Sequence, residues 1–193
     1  MSNIETTISK IKQELIGAFA SVDAWFDKHE SLLQFKPATG RWTPALVLEH
    51  IMLTNHYLLI LIDKGSDKAL KLAETTDLPE ATRNYQFEEN MLEDIGIHKS
   101  FQWERPEHME PSGETDSCDV RLELRYQLYR CLCHLKALSN GAGVLYKTTM
   151  TVNNLGKLDV YQYLYFLAQH VKRHRHQLEN IENEYLLNNE LPA

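Results

Sequence analysis

Apolar residues recur at alternating spacings of three and four along several long stretches of this chain, which is the pattern that places side chains on one face of an α-helix. Few residues interrupt these stretches, because the 193-residue chain contains only 8 glycines and 6 prolines. No stretch of the sequence shows the strict alternation expected of a half-buried strand. The sequence therefore predicts an all-α fold, and the length suits one domain spanning residues 1–193.

Four segments carry the helical pattern strongly enough to be predicted as long helices. They cover about residues 4–25, 44–65, 119–140 and 159–187. The second is expected to begin at Pro44, because Thr43 is a good N-cap and proline is favoured in the first turn. The fourth is expected to begin beside Asp159, which forms a capping-box pattern with Gln162. These helices predict a four-helix bundle, and part of the long connection 66–115 is expected to pack as a flap or crossover.

The charge and cysteine content argue against several classes of partner. A net charge of −7 and a pI near 5.7 leave no basic face for a phosphate backbone, so we expect no nucleic-acid partner. The longest apolar run, Tyr57 to Ile62, is far shorter than the ~20 residues that span a bilayer, and charges are scattered through the N-terminal stretch. The three cysteines lack metal-binding spacing. We therefore expect a cytoplasmic protein with no membrane partner, as a monomer or a homodimer.

Three of the nine histidines fall on predicted inward faces. His50 lies within the apolar stripe of the second helix, and His170 and His174 lie one turn apart on the inward face of the fourth. Buried imidazoles need a hydrogen bond or a metal ion, and this spacing recurs in helical zinc sites. Two hypotheses follow: a three-histidine metal site with an open position, or core histidines that hydrogen-bond to a carbonyl or to the hydroxyl of Thr54 or Tyr163.

Other polar residues near these positions are interpreted as solvent-exposed. Glu49 is assigned to the surface, with support of His50 as its alternative role, and the basic run Lys172–His176 is assigned to a solvated face, with anion binding as the alternative. Surface positions are also expected for His29, His56, His98, His108, His134 and His176. The sequence contains no H-E-x-x-H, E-x-x-H or G-x-S-x-G motif, which argues against a metalloprotease helix, a di-iron bundle and an α/β-hydrolase.

Three stretches carry motifs in the order of a known family. RWTPALVLEHI (41–51) resembles a Trp-[Ser/Thr]-Pro opening followed by the first ligand histidine. MEPSGE (109–114) is similar to a Pro-x-Gly linker before the third helix. LGKLDVYQYLYFLAQHVKRHRHQL (155–178) resembles a closing Leu-Gly-x-Leu … His-x-x-x-His-x-x-Gln-Leu signature. Together they resemble the DinB-like superfamily, also called the DinB/YfiT family of metal-dependent hydrolases.

The resemblance implies a four-helix bundle in up-down-down-up order with a long crossover. It also implies a divalent metal, zinc or nickel, held by His50, His170 and His174 with water completing the shell; these are the residues that periodicity places on inward faces. Characterised relatives include thiol S-transferases that use bacillithiol or mycothiol and a metal-dependent isomerase. This chain departs from compact members in its longer 66–115 connection, and no arginine pattern marks a particular thiol.

The leading hypothesis is a metal-dependent enzyme that acts as a hydrolase or thiol S-transferase on a small molecule, with a low-molecular-weight thiol as a candidate partner. Its metal would activate a bound water or thiol. Tyr163 is a candidate for the pocket wall, and no general base is identified. The alternatives are a non-catalytic metal-binding bundle and an interaction module without metal. A fourth protein ligand, from 66–115 or from Glu49, would favour a structural metal.

Overall fold

Helices form most of the described chain, which comprises residues 3–38, 42–101 and 106–190 of a computed structural model. The α-helices are α1 (Asn3–Asp23), α2 (Glu30–Leu33), α3 (Pro44–Ala73), α4 (Leu78–Thr82), α5 (Asn90–Gly96), α6 (Ser117–Ala137) and α7 (Val160–Glu190). Short 3₁₀ turns lie at Ala24–Asp27, Glu107–Met109, Ala142–Leu145 and Val152–Asn154. The prediction of a mostly helical fold is confirmed, and α1, α3, α6 and α7 lie at the four predicted positions.

Several helix ends differ from the predicted ones by a few residues. Helix α1 ends at Asp23, and the chain continues as a 3₁₀ turn. Helix α3 continues to Ala73, inside the stretch interpreted as a connection, because Ala69 extends its buried stripe. Helix α6 begins at Ser117, because the carboxylate of Asp116 caps its first turn.

Side-chain caps fix the starts of the two helices that carry the candidate histidines. The Thr43 hydroxyl accepts a hydrogen bond from the Leu46 N–H at 3.3 Å, with Pro44 in the first turn of α3. At α7, Asp159 Oδ1 accepts from the Gln162 N–H at 2.9 Å, and Gln162 Oε1 accepts from the Asp159 N–H at 3.0 Å. Both predicted caps are confirmed, and the second is the reciprocal capping box.

A small β-hairpin precedes α7, which contradicts the expectation of no strand. Strands β1 (Lys147–Met150) and β2 (Gly156–Asp159) pair antiparallel, with Lys147 opposite Asp159. The strands are four residues each, too short for alternation to be recognised in the sequence. Asn153 and Asn154 in the intervening turn have φ values of 48° and 54°, a left-handed conformation that asparagine tolerates better than most residues.

Helix α7 is the most deeply buried element of the fold. Every residue from 158 to 171 is buried, so this part of the helix faces protein on all sides. Helices α1, α3 and α5 all contact α7. Helix α5 comes from the 66–115 connection, and its Leu92 and Ile95 side chains are completely buried. The expectation that part of this connection packs against the core is therefore confirmed.

Helix α3 has the length and apolar composition of a membrane span, although its longest unbroken apolar run is short. Among the described helices it is the one that meets both criteria, and 56% of its most apolar 18-residue window is buried inside the protein. Core helices of soluble proteins meet the same criteria. The absence of a membrane partner therefore stays a prediction.

The buried cap of α7 predicts a pH-dependent stability. The Asp159 side chain is 1% exposed, and burial raises its pKa from the usual 3.8 to about 6. Because the folded-state pKa lies above the unfolded one, its stabilising contribution is complete below about pH 4 and is lost as pH rises through 6. We expect Asp159→Asn to unfold with a free energy up to about 3 kcal/mol higher than wild type at pH 8, with this gain absent at pH 4.

Urea unfolding of both proteins at pH 4, 6 and 8 measures this difference. Asparagine still offers an oxygen to the Gln162 N–H, so the cap itself is preserved. The control is Asp116→Asn at the exposed cap of α6, which we expect to change stability little because both residues cap equally well. A constant difference between wild type and Asp159→Asn across the three pH values would contradict the prediction.

Candidate metal centre

Three histidines from two helices meet in the core. His50 lies in the second turn of α3, and His170 and His174 lie one turn apart in α7. All three side chains are buried, and their potential ligand nitrogens lie within 4.8 Å of one another. The ring centroids of His50 and His174 are 4.7 Å apart, and those of His170 and His174 are 4.6 Å apart. The structure thus brings together the three side chains that the sequence singled out.

Hydrogen bonds to acceptor oxygens assign the protonated nitrogen in two of the rings. His50 Nδ1–H donates to the Met109 carbonyl at 2.8 Å, and His174 Nδ1–H donates to Gln177 Oε1 at 2.9 Å. In a neutral imidazole the other nitrogen then carries a lone pair, so Nε2 of both rings is the atom available to a metal. Thr54 Oγ1 lies 3.5 Å from His50 Nε2, the long limit of a hydrogen bond. The carbonyl and hydroxyl partners expected of core histidines are therefore present at His50.

The spacing and charge state of the donor nitrogens fit a divalent metal. The Nε2 atoms of His170 and His174 are 3.1 Å apart, and a tetrahedral ion with bonds of ~2.0–2.1 Å needs donors roughly 3.3 Å apart. Burial lowers the pKa of both rings well below the usual range, and nearby His50 and Arg173 add to the effect. Both rings are therefore neutral near pH 7, which metal binding requires. These three side chains could hold a divalent ion.

A partly open cavity of about 230 Å³ adjoins the three histidines. Its walls are formed by Trp42, His50, Thr54, His98, Met109, His170, Arg173, His174 and Gln177. The centroids of the Trp42 and His50 rings are 4.7 Å apart, and the Trp42 ring forms an apolar part of the wall. The cavity is large enough for a small organic molecule, and its polar groups lie next to the candidate ligand atoms.

Glu49 is buried, so its assignment to the surface was wrong. Its Oε1 accepts hydrogen bonds from the hydroxyls of Ser112 and Thr115, both at 3.0 Å, and its Oε2 accepts from the Gly113 N–H at 2.8 Å. The carboxylate therefore holds the turn before α6. This turn begins three residues after Met109, whose carbonyl accepts a hydrogen bond from His50 and so orients its ring. The hydroxyl and small residues of 112–115 were the available sequence signal for such a carboxylate-binding turn.

Arg173 is also buried, which corrects its placement on a solvated face. Its guanidinium donates to the carbonyls of Ile97 and Phe101 at 2.5 and 3.3 Å and to Ser100 Oγ at 3.2 Å. The same group lies 4.9 Å from the centre of the Phe101 ring. Arg173 thus ties the segment after α5 to α7, beside the candidate metal ligands.

His98, expected at the surface, is half-buried and lines the cavity. Burial lowers the pKa of His98, and the positive charges of Arg173 and Lys99 act in the same direction. Periodicity could not find this residue, because it lies in a loop between α5 and α6. Of the remaining histidines, His29, His56 and His108 are exposed as predicted, whereas His134 and His176 are half-buried.

Tyr163 does not line the cavity, which contradicts its assignment to the pocket wall. Its hydroxyl donates to the Thr149 carbonyl at 3.0 Å, so it ties α7 to strand β1. Burial raises the pKa of Tyr163 to about 12, so this hydroxyl keeps its proton near neutral pH. Tyr163 therefore supports the fold at a position away from the three histidines.

The family comparison agrees with the motifs that were recognised in the sequence. Residues 20–178 match the model of the DinB superfamily, a range that includes all three histidines. The chain belongs to the DinB superfamily. Comparison of the chain with curated proteins and with solved structures finds no match.

The Glu49 contacts predict that the turn before α6 depends on one carboxylate. In Glu49→Gln one acceptor oxygen becomes an NH₂ group, so at least one of the turn's donors loses its partner. A hydrogen bond to a charged group contributes ~1.5–3 kcal/mol, and we expect the free energy of unfolding to fall by about 2 kcal/mol. Native-state hydrogen exchange should also show faster exchange of the Gly113 amide.

The matched control is Glu114→Gln, which makes the same chemical change at an exposed carboxylate in the same turn. We expect its stability to stay within ~0.5 kcal/mol of wild type. Equal stability and equal Gly113 exchange in wild type and Glu49→Gln would show that the buried carboxylate does not hold the turn.

Proposed function

We propose that this member of the DinB superfamily is a metal-dependent enzyme that hydrolyses a small molecule or transfers a low-molecular-weight thiol onto one. The observation that carries the proposal is the convergence of three buried histidine nitrogens on the wall of a cavity. The proposed metal ligands are His50, His170 and His174. When bound, a divalent ion would polarise a water or thiol and lower its pKa towards neutrality.

The donor set supports a catalytic site over a structural one. Structural zinc sites are usually closed by four protein ligands, whereas catalytic sites keep a position open. Within residues 3–38, 42–101 and 106–190, no fourth histidine, cysteine or carboxylate belongs to the cluster. Glu49, the proposed fourth ligand of the structural alternative, directs its carboxylate to the turn at 112–115 instead. All three histidines line the cavity, which is where a water or a substrate could reach an ion bound to them.

The chain's own residues position the reacting groups in this proposal. The Met109 carbonyl and the Gln177 amide hold His50 and His174 with Nε2 directed away from those partners. Trp42 and Thr54 line the cavity, and Arg173 binds the carbonyl of Ile97, the residue before His98, which also lines it. Three imidazole donors suit zinc and nickel, the two ions that we propose.

We also infer that the four long helices follow the up-down-down-up order implied by the family resemblance. The supporting contacts are Lys10–Tyr165 and Glu14–Lys172 between α1 and α7, Asp23–Arg121 and Asp23–Arg125 between α1 and α6, and Met52–Gln127 and Asp63–Arg130 between α3 and α6. In the α1–α7 contacts and in the α3–α6 contacts, the residue numbers of both helices rise together, as expected of parallel helices. The end of α1 meets the start of α6, as expected of antiparallel helices. Helices α1 and α7 would then run in one direction and α3 and α6 in the other.

Metal content of the tag-free protein tests the proposed function. We expect about one zinc or nickel ion per chain by mass spectrometry after loading and dialysis, and none in the triple variant His50→Ala/His170→Ala/His174→Ala. The control is His56→Ala, which removes an exposed histidine from α3 and should keep the metal. Wild-type protein that takes up neither ion would overturn the proposal.

Thermal unfolding with and without metal separates the catalytic and structural alternatives. For a catalytic site we expect His170→Ala to stay folded while it loses the metal and the enzymatic activity. The activity is measured as transfer of a thiol onto a small molecule or as hydrolysis of an activated ester. A structural metal would instead make the metal-free protein and His170→Ala unfold at a much lower temperature, in parallel. A folded, metal-loaded wild type without activity towards either class of probe would favour the non-catalytic alternative.

A further inference from the structure

Helix α6 carries a second stripe of residues on the side that faces away from the core. Its buried residues share one face of the helix, and six exposed residues share the opposite face. The spacing of the six alternates between three and four, which is the heptad pattern of a helix that packs lengthwise against another helix. We call this stripe the α6 seam, and its members are Asp119, Leu122, Tyr126, Tyr129, Cys133 and Lys136.

The centre of the α6 seam is apolar although it is exposed. The exposed fraction is 62% for Leu122, 54% for Tyr126 and 62% for Tyr129. The two tyrosine rings stack on each other, with their centroids 6.4 Å apart. Residues three and four apart on a helix are neighbours, so these three side chains form one continuous patch. A continuous exposed apolar patch marks an interaction site, whereas single exposed apolar residues do not.

The order of residue types along the seam makes it complementary to a second copy of itself. We consider two antiparallel copies of α6 that are related by a two-fold axis midway between positions 126 and 129. Tyr126 then faces the partner's Tyr129, and Leu122 faces the partner's Cys133. Both contacts occur twice because of the symmetry, so apolar side chains meet throughout the centre of the interface.

The charges at the ends of the seam favour the same arrangement. Asp119 would face the partner's Lys136 at each end, and among the described residues neither side chain has an ion-pair partner in its own chain. Along one edge of the seam, Glu123 would lie near the partner's Arg130. A parallel pair would instead place Asp119 against the same residue of the second copy, and like charges that face each other oppose association.

Two arginines flank the tyrosines, and each is paired with a carboxylate of its own chain. Arg125 Nε donates to Asp23 Oδ1 at 2.7 Å, and Arg130 Nη2 donates to Asp63 Oδ2 at 2.5 Å. These ion pairs reduce the positive charge beside the seam. They also tie α6 to α1 and to α3, so the helix is already ordered before it meets a partner, which lowers the entropic cost of association.

We propose that the α6 seam is the interface of a homodimer in which two copies of α6 pack antiparallel. None of the residues that line the metal-centre cavity belongs to α6, so each subunit keeps its own cavity open. The proposal uses no residue of the metal centre. Its test therefore stands or fails independently of the proposed function.

Sedimentation equilibrium of the full-length protein tests the proposal. We expect wild type to have twice the chain mass of 22.4 kDa at concentrations up to about 100 μM. Leu122→Glu should sediment as a monomer, because it places a charge in both symmetry-related apolar contacts. The matched control is Leu187→Glu, which makes the same change at a leucine of α7 that is 64% exposed, and it should remain a dimer. Circular dichroism and thermal unfolding show whether both variants keep the fold.

Exchange of the end charges tests the antiparallel register. Asp119→Lys and Lys136→Asp each bring like charges together twice per dimer, and we expect either change to raise the dissociation constant of the dimer about tenfold. The double variant Asp119→Lys/Lys136→Asp restores both contacts and should return this constant to within about twofold of wild type. Single variants that dimerise as tightly as wild type would contradict the register.

Oxidative cross-linking locates the contact directly. In a Cys118→Ser background, Leu122→Cys should form a disulfide with the partner's Cys133 and so give a covalent dimer, and Cys133→Ser should prevent it. A wild type that stays monomeric at about 100 μM would overturn the proposal. So would a dimer that survives Leu122→Glu, or a cross-link that forms without Cys133.

Discussion

The enclosure of α7 is the constraint on which the candidate site depends. Every residue from 158 to 171 is removed from water, so the N–H groups at the start of this helix cannot be satisfied by solvent. The Asp159 carboxylate meets part of that need inside the protein by accepting from the Gln162 N–H, and Gln162 in return accepts from the Asp159 N–H. The same enclosure keeps His170 and His174 neutral, because desolvation disfavours the imidazolium form. One packing arrangement thus provides both a buried helix start and lone-pair donors four residues apart.

The parts of the structure that were predictable from sequence are those set by local chemistry. Thr43 and Pro44 define the start of α3 through a cap and a first-turn proline, and neither depends on distant residues. The inward placement of His50 and of the His170–His174 pair followed from the spacing of apolar residues along each helix. Convergence of the two helices was then supplied by the family resemblance, and the structure shows the side chains together.

The features that sequence reasoning missed depend on where the 66–115 connection packs. Glu49 and Arg173 are charged residues outside the apolar stripes of their helices, and charged side chains usually meet solvent. Here the connection covers both side chains and supplies hydroxyls, amides and carbonyls that satisfy the two buried charges. Contacts between residues more than 60 positions apart leave no periodic signal in either segment. His98 was missed because a loop residue has no helical face from which burial can be inferred.

The candidate ligands and the anchors of the connection are neighbours in the chain. Glu49 precedes His50 on α3, and Arg173 precedes His174 on α7; in each pair one side chain holds the connection and the other faces the cluster. Adjacent residues on a helix point about 100° apart, so each pair can serve the cavity and its wall at once. Changes in the connection would therefore reshape the cavity without moving the helices that present the histidines. A fold built this way can keep one donor set while its pocket, and with it the molecule that the pocket accepts, varies.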